Sequence, residues 1–480
     1  MSVAELTTRA RPVSEQRSLW GWGATARSNS TVIAPRDVED VVERLSGTAG
    51  SVHPVIARGA GRSYGDAAQL DGGDVLDMTG WKEILSIDRD RAAITAQAGA
   101  TIAQLMAALA ASGLTLPVVP GTRHVTLGGA IASDIHGKNH HRDGGLASHV
   151  LALSLCTPAD GCRELSPETD PELFYATLGG MGLTGVVVQA TLRAEPLSSP
   201  WVAADTDRTD DLEQTLALMA EDDRHRYSVA WLDLLAGGST FGRAVVSRAD
   251  DLPAASAPRA AGGLRWPILD RSRVAYPDAL LRGPAMVVPR RFPDALLRAA
   301  WVRAFNALRL RAAPRLERGR PQPRAQYFFP LDVLGEWNRL YGRAGLIQYQ
   351  LVIPLGREAA LARCFELIRT RRLPVYLAVF KRFGAAFGGP LSFPLAGWTL
   401  AIDLPASAPG LRAALDELDE VVAGCGGRVY LSKDARLRRD VLAAMYPQLD
   451  RFNALQSRVD PGGVLRSDLS LRLGLCPAPR

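Results

Sequence analysis

Residues 134–145, DIHGKNHHRDGG, set three of the chain's seven histidines, His136, His140 and His141, beside Lys138, Asn139 and the acidic Asp134 and Asp143. Side chains of these types can hold a metal, move protons or wall a cofactor pocket. The i, i+4, i+5 spacing could bring two rings together on a helix, but Gly137 and the polar run around it favour a loop. No HExxH or comparable acidic partner pattern accompanies the histidines, so no metal is expected.

Three further stretches could do chemistry through glycine. In VHPVIARGAGRSYGDAAQL the apolar run Val52–Ile56 predicts a strand that delivers the chain into a loop containing Gly59, Gly61 and Gly65. A Rossmann turn would need a helix opening at those glycines. Instead Asp71-Gly72-Gly73 predicts a turn and DVLDM a strand, so the loop is expected to approach a flat ligand by its backbone, without a helix dipole. VVPGTRHVTLGGAIASDIHGKNHH places Gly121, Gly128 and Gly129 among Thr122 and Thr126, donors suited to phosphate oxygens. LGGMGLTGVVVQATL runs Gly179, Gly180, Gly182 and Gly185 into a strand. One such loop predicts only a turn; three together predict one extended, phosphate-bearing cofactor.

The elements that position these loops follow from periodicity. Pro35 and Asp37 open a helix that closes near Gly50. No charge occurs between Arg91 and Arg123, a length that could span a bilayer. Gly99, Gly113, Pro117 and Pro120 divide it, however, into strand, helix and strand, with Ile102, Leu105, Met106 and Leu109 on one helical face, so no membrane span is expected. Beyond Pro196, alternating runs at 346–354, 373–384 and 397–405 predict strands, and 357–372 and 408–427 predict helices between them: an α+β sheet domain. Segments 251–275 and 309–325, rich in Pro, Ala and Arg, are expected as mobile surface loops.

A chain of 480 residues exceeds the roughly 250–300 at which a single core stops growing, which predicts two domains. Hydrophobic residues at 47% and charged ones at 22% are ordinary for a globular protein. A net charge of +6 from 56 basic and 50 acidic residues is mild and does not by itself signal a nucleic-acid partner, and none is expected. The basic excess is local: Arg303 to Arg324 holds seven arginines and one acid, Glu317, which reads either as a solvated loop or as a patch for anionic lipid or phosphate. Five scattered cysteines without a CxxC signal neither a disulfide framework nor zinc and suit a reducing compartment. The N-terminal residues have no apolar core of a signal peptide, so a cytoplasmic location, or a peripheral one at the inner membrane, is expected, with the periplasm left open.

ARGAGRSYGD, PGTRHVTLGGAIASDIHGKNHH, GGMGLTG, PLSFPLAGW and YLSKDAR together resemble the vanillyl-alcohol-oxidase (PCMH) type of FAD flavoproteins, and within them the branch that oxidises decaprenylphosphoryl-ribose. The likeness runs from LWGWG to RSDLSLRLGL. It implies an α+β fold: a PCMH-type FAD domain over 1–196, a substrate (cap) domain on an antiparallel sheet over 197–415, and a segment 416–480 returning to the FAD domain. By matching motif, Ala57, Arg58, Gly59, Ala60, Gly61, Arg62, Ser63, Tyr64, Gly65, Asp66 and Ala67 would contact FAD. So would Gly121, Thr126, Leu127, Gly128, Gly129, Ser133, Asp134, Ile135, His136, Val187 and Tyr430. Many relatives attach FAD covalently through a histidine in the first loop; Arg62 occupies that place here, so dissociable, non-covalent FAD is implied.

The resemblance also implies the chemistry. Oxidising a secondary alcohol removes a hydride to the flavin and a proton to a base. Lys433, in YLSKDAR, suits the base if burial or nearby charge lowers its pKa; on the residues alone it could equally be a surface lysine paired with Asp434. His136 and Tyr64 are candidates for proton handling or substrate hydrogen bonds. Lys138 and Lys381 would meet the phosphate of a polyprenyl-phosphate sugar, and Gln348 and Gln350, sharing one face of a strand, would face the sugar while Tyr349 points away. A nicotinamide-dependent short-chain reductase is the implied pathway partner, and peripheral membrane association is implied by the lipid. Thr399 and Ala401 stand where better-known members carry Asn and Cys near the flavin.

Overall fold

The computed structural model describes residues 12–46, 53–220, 224–258, 276–290 and 299–475. The runs Val55–Arg58 and Asp74–Asp77 become neighbouring strands of a four-stranded sheet, ordered Val13–Trp20, Arg27–Ala34, Asp74–Asp77, Val55–Arg58, the last three parallel. An antiparallel five-stranded sheet follows, ordered Ile84–Asp88, Ala93–Gln97, Val186–Arg193, Val150–Thr157, Gly161–Leu165. The uncharged stretch after Arg91 forms strand Ala93–Gln97 and then a ten-residue helix, Ile102–Ala111, opened by a Thr101–Gln104 capping box. Ile102, Leu105, Met106 and Leu109 on that helix are fully buried. Among the described residues no helix is long and apolar enough to cross a membrane.

From Trp201 the chain builds an eight-stranded antiparallel sheet, ordered Leu316–Pro323, Trp201–Thr209, Ala244–Asp251, Tyr227–Leu232, Leu377–Phe383, Gly397–Pro405, Leu346–Pro354, Arg428–Val429. The three strands expected from alternation sit side by side within it. Strand periodicity sorts their side chains. Tyr349, Leu351, Phe380, Leu400 and Ile402 are buried in the hydrophobic core. The same core takes in Leu361, Phe365 and Ile368 of helix Glu358–Thr370, and Leu411, Leu415 and Leu418 of helix Leu411–Gly424. The opposite positions, Gln348, Gln350, Val379, Lys381 and Ala401, face the glycine loops.

Segment 309–325 differs from the expected mobile loop. It is the end of helix Ala299–Ala312 and the edge strand Leu316–Pro323, paired with Trp201–Thr209. Proline and glycine weaken strand propensity, but an edge strand needs donors on one side only and so tolerates Pro321 and Pro323. Part of the arginine excess is paired within the fold: Arg318 pairs with Asp207 at 2.8 Å at the surface, and the buried Arg324, 3% exposed, pairs with Asp251. Of the other expected loop, residues 259–275 lie outside the described residues. The boundary at residue 415 falls inside helix Leu411–Gly424, and Arg428–Val429 still belongs to the cap sheet; the chain rejoins the glycine loops at Tyr430. Cys156 and Cys162, cross-strand partners in neighbouring strands, form a disulfide that their spacing had not signalled.

Candidate active site

The first glycine loop is clamped by both ends of the chain. Trp22 N donates to Ser63 O at 2.7 Å, Gly23 N to Tyr64 O at 2.9 Å, and Tyr64 N to Ser432 O at 2.9 Å. At Gly65 a Cβ would stand 1.8 Å from Asp434 O, so only glycine lets the two segments meet. The Asp66 carboxylate takes a bidentate pair from Arg472 at 2.8 and 2.9 Å, and the same guanidinium reaches Asp434 at 2.8 Å. Asp434 is thus held by Arg472, and Lys433 is left to face inward.

The second loop runs through helix Leu127–Ala132, whose opening is capped by Thr126 accepting from Gly129 N. The sequence had suggested only turns there. All three glycine clusters line one cavity of about 740 Å³, through Gly59 and Gly61, through Gly121, Gly128 and Gly129, and through Gly182 and Gly185. Gly179 and Gly180 pack instead against Ser392 and Ala176. The cap sheet covers the cavity with Gln348, Gln350, Val379, Lys381 and Ala401.

At its centre, Lys433 Nζ donates to Gln348 Oε1. The Gln348 amide nitrogen donates in turn to Asp403 Oδ1 at 2.5 Å and to the Tyr64 hydroxyl at 3.1 Å. Burial lowers the Lys433 pKa to about 8, with the Asp403 carboxylate opposing the shift. Burial raises Asp403 to about 6, and its second oxygen has no hydrogen-bond partner. The Tyr64 hydroxyl, pushed well above its ordinary value by burial, stays protonated.

His136 sits among the rings of Phe383, Tyr430 and Phe393 at 4.7, 5.6 and 5.9 Å. Lys381 Nζ lies 3.1 Å from its Nδ1 and Gln350 Nε2 lies 3.1 Å from its Nε2. Burial, then repulsion from Lys381 and Lys433, holds this imidazole neutral across the physiological range. Lys381 is itself lowered to about 7 by burial and by Lys433 and Lys138. Gln350 also donates to Thr399 Oγ1 at 3.0 Å, whose hydroxyl donates to Leu351 O at 2.8 Å. Thr399 therefore braces Gln350 from behind, and Ala401 meets the cavity.

The structure gathers most of the expected residues around this space: Ala57 to Tyr64, Ala67, Gly121, Thr126, Gly128, Gly129, Ser133, Ile135, His136, Val187, Gln348, Gln350, Lys381, Tyr430 and Lys433. Five do not line it. Gly65 and Asp66 lock the first loop from behind, Leu127 is fully buried in the core, and Asp134 accepts from Ala147 N at 2.9 Å and from Ser392. Lys138 turns away: its ammonium donates to Tyr327 O and lies 4.0 Å over the Tyr327 ring, so it does not reach a ligand in the cavity. The physical reason is a cap contact at this point of the chain: Ser228 N donates to Lys138 O at 2.9 Å, and the side chain turns to Tyr327. The histidines there are engaged elsewhere, His140 accepting from Gly384 N at 3.2 Å and His141 contacting His225 O at 3.0 Å. Among the described residues no three His, Cys, Asp or Glu converge as a metal site. Asp403 was missed, although it continues the alternation of Thr399 and Ala401 along one strand face.

The residues fit the expected flavin. A Cβ at Gly59 would stand 2.0 Å from Thr126 Oγ1, which brings the first and second loops into one cradle. Arg62 Nε and Gln350 Oε1, both buried at the cavity, have no hydrogen-bond partner and are places for a polar ligand. Ala57 to Tyr64, Thr126, Gly128 and Gly129 would hold its phosphates and ring system.

Comparison with known proteins agrees. Residues 30–166 match the FAD binding domain family. The decaprenylphosphoryl-beta-D-ribose oxidase of Mycolicibacterium smegmatis is 37% identical over 479 residues, covering 98% of this chain and 100% of the relative. The L-gulono-1,4-lactone dehydrogenase of Mycobacterium tuberculosis is 25% identical over 455 residues, 92% of this chain and 96% of the relative. A mitochondrial L-galactono-1,4-lactone dehydrogenase of Oryza sativa is 32% identical over 173 residues, 36% and 29% of the two chains. Three glycine loops around one cavity, the clustered Lys433, Gln348 and Tyr64, and an end-to-end likeness place the chain in the decaprenylphosphoryl-beta-D-ribose oxidase family of FAD-binding oxidoreductases.

Proposed function

We propose that the protein oxidises the ribosyl 2-hydroxyl of a polyprenylphosphoryl-β-D-ribose to the 2-keto sugar, the first half of an epimerisation to the arabinose lipid. The observation that carries this reading is the Lys433–Gln348–Tyr64 cluster facing the glycine-lined cavity, with Asp403 hydrogen-bonded to Gln348. FAD, when bound, supplies the acceptor for the carbinol hydride. The hydroxyl proton goes to Lys433 Nζ, which a pKa of about 8 leaves partly neutral near neutrality. Gln348 holds that amine in place, and the protonated Tyr64 hydroxyl donates toward oxygen charge as it develops. Lys381, lowered to about 7 in the free protein, is drawn back to its ammonium form by the substrate phosphate it meets, a duty Lys138 does not share.

Arg62 in the first loop is no nucleophile toward the flavin, so FAD is held without a covalent bond; acid precipitation should release all flavin into the supernatant. The ketone product requires a nicotinamide-dependent short-chain reductase to complete the epimerisation.

A second reading, oxidation of a soluble alditol or aldonolactone, draws on the lactone dehydrogenase relatives and on Thr399, which turns its hydroxyl to Leu351 O and braces Gln350 without lining the cavity itself. Anaerobic titration separates the two. Polyprenylphosphoryl-ribose should bleach the visible flavin absorbance stoichiometrically, whereas free alditols and lactones should not, and Lys433→Ala should lower the bleaching rate at least about a hundredfold. Bleaching by lactones alone would decide for the second reading, and undiminished bleaching in the alanine variant would remove Lys433 from the mechanism.

A further inference from the structure

Helix Ala299–Ala312 presents a face that the fold leaves uncovered. Trp301, Phe305 and Leu308, spaced four and three apart, are 65, 55 and 52% exposed. The opposite face is fixed to the cap: Val302, Asn306 and Leu310 are buried, and Asn306 donates to Asp233 at 2.8 Å. No Asp or Glu occurs in the helix, and its charges are Arg303, Arg309 and Arg311, followed by Arg315. Arg309 lies along one flank, over the Trp231 ring at 4.8 Å. Arg311 lies on the other by helical spacing.

Through Arg303 the helix approaches the wall of the cavity, whose mouth carries exposed apolar side chains of its own. Val287 and Leu331 line the cavity and are also 52 and 41% exposed, which makes an apolar rim. From Trp337 in the cavity wall a run of rings leads through Tyr341 at 6.4 Å to Tyr376 a further 5.8 Å on, and Tyr376 lies within electrostatic reach of Arg303.

We propose that helix Ala299–Ala312 seats the cap on an anionic lipid surface, with Trp301, Phe305 and Leu308 entering the headgroup boundary and the flanking arginines on lipid phosphates. An apolar stripe with tryptophan, bordered by arginine and free of acid, matches the interfacial helix of a peripheral membrane protein. A second copy of the chain fits less well, because pairing this face with itself would bring arginine against arginine. The placement beside the mouth rests on the lipid-linked substrate reading; binding to the surface is measured without substrate.

The test is co-sedimentation of the FAD-loaded full chain with phosphatidylcholine vesicles, with and without phosphatidylglycerol. The protein should pellet with the anionic vesicles, less so as salt is raised. W301E/F305E/L308E should weaken that binding at least about tenfold. R311E/R315E should weaken it on anionic vesicles only. Both variants should keep the wild-type turnover of a water-soluble short-prenyl phosphoryl-ribose. Wild type remaining in the supernatant with anionic vesicles would overturn the proposal, as would a triple variant that pellets like wild type. So would a triple variant that only converts an oligomer to monomers. Vesicle binding retained while the soluble lipid-sugar is ignored by every form would sink the substrate reading and leave the surface standing.

Discussion

Asp403 does not line the cavity, yet its carboxylate acts on the titration of Lys433, which does. Burial takes Lys433 down to about 8, and the Asp403 carboxylate pulls it upward. The neutral amine is the active form, so kcat/KM should rise with pH through about 8 and level off above it. Asp403→Asn removes the upward pull, and the rising limb should move to lower pH. Asp403→Asn with an unmoved limb in the kcat/KM profile would show that the carboxylate does not act on Lys433. Lys433 and Tyr64 could be placed at the cavity because each stands in a motif whose neighbours constrain it, and Gln348 because strand parity sets it on one face with Gln350. Lys138 was grouped with the cavity because it is close to His136 in sequence, but closeness in sequence says nothing about direction, and its ammonium turns to Tyr327. Asp403 lacked any motif, and only its strand parity pointed at the cavity.

At the scale of elements, the site depends on one contact between segments far apart in the chain. Arg472, on the short helix Asp468–Leu473, holds Asp66 of the glycine loop and Asp434 beside Lys433. Arg472→Ala leaves two largely buried carboxylates without their cation and should cost about 3 kcal/mol. Thermal melting should show the loss, and the variant should retain less flavin after gel filtration. A variant as stable and as yellow as wild type would mean the pair is compensated. The sequence showed the central cap strands clearly, because Leu346–Pro354 and Gly397–Pro405 carry long apolar side chains. It hid Trp201–Thr209, whose buried positions are Val202, Ala204, Thr206, Asp207 and Thr209. Arg248 and Arg318 neutralise Asp207 there, so the inward periodicity is polar and invisible to a hydrophobic pattern.

At the scale of the whole molecule, the expected domains are not separate bodies. One continuous buried cluster includes Leu105 and Leu127 near the glycine loops and Leu351, Phe380 and Leu400 in the cap sheet. Ser228 N, in the cap, donates to Lys138 O at 2.9 Å and bonds the two regions through the backbone. A ligand held between them should therefore stabilise both together. FAD at a hundredfold excess over its Kd should add about 2.7 kcal/mol to the stability of the apoprotein. Calorimetry should show a single transition moving upward with FAD; two transitions, with only one moving, would mean the regions melt independently.

The clamp on the first glycine loop also orders events in time. Residues 59–67 leave the ribosome early, but their backbone partner Ser432 and the cation for Asp66, Arg472, follow hundreds of residues later. Until those arrive, Tyr64 lacks the carbonyl that fixes it and Asp66 lacks its counter-charge. The flavin cradle is thus among the last features the nascent chain completes, and a chain halted before residue 472 should be made in quantity yet remain colourless.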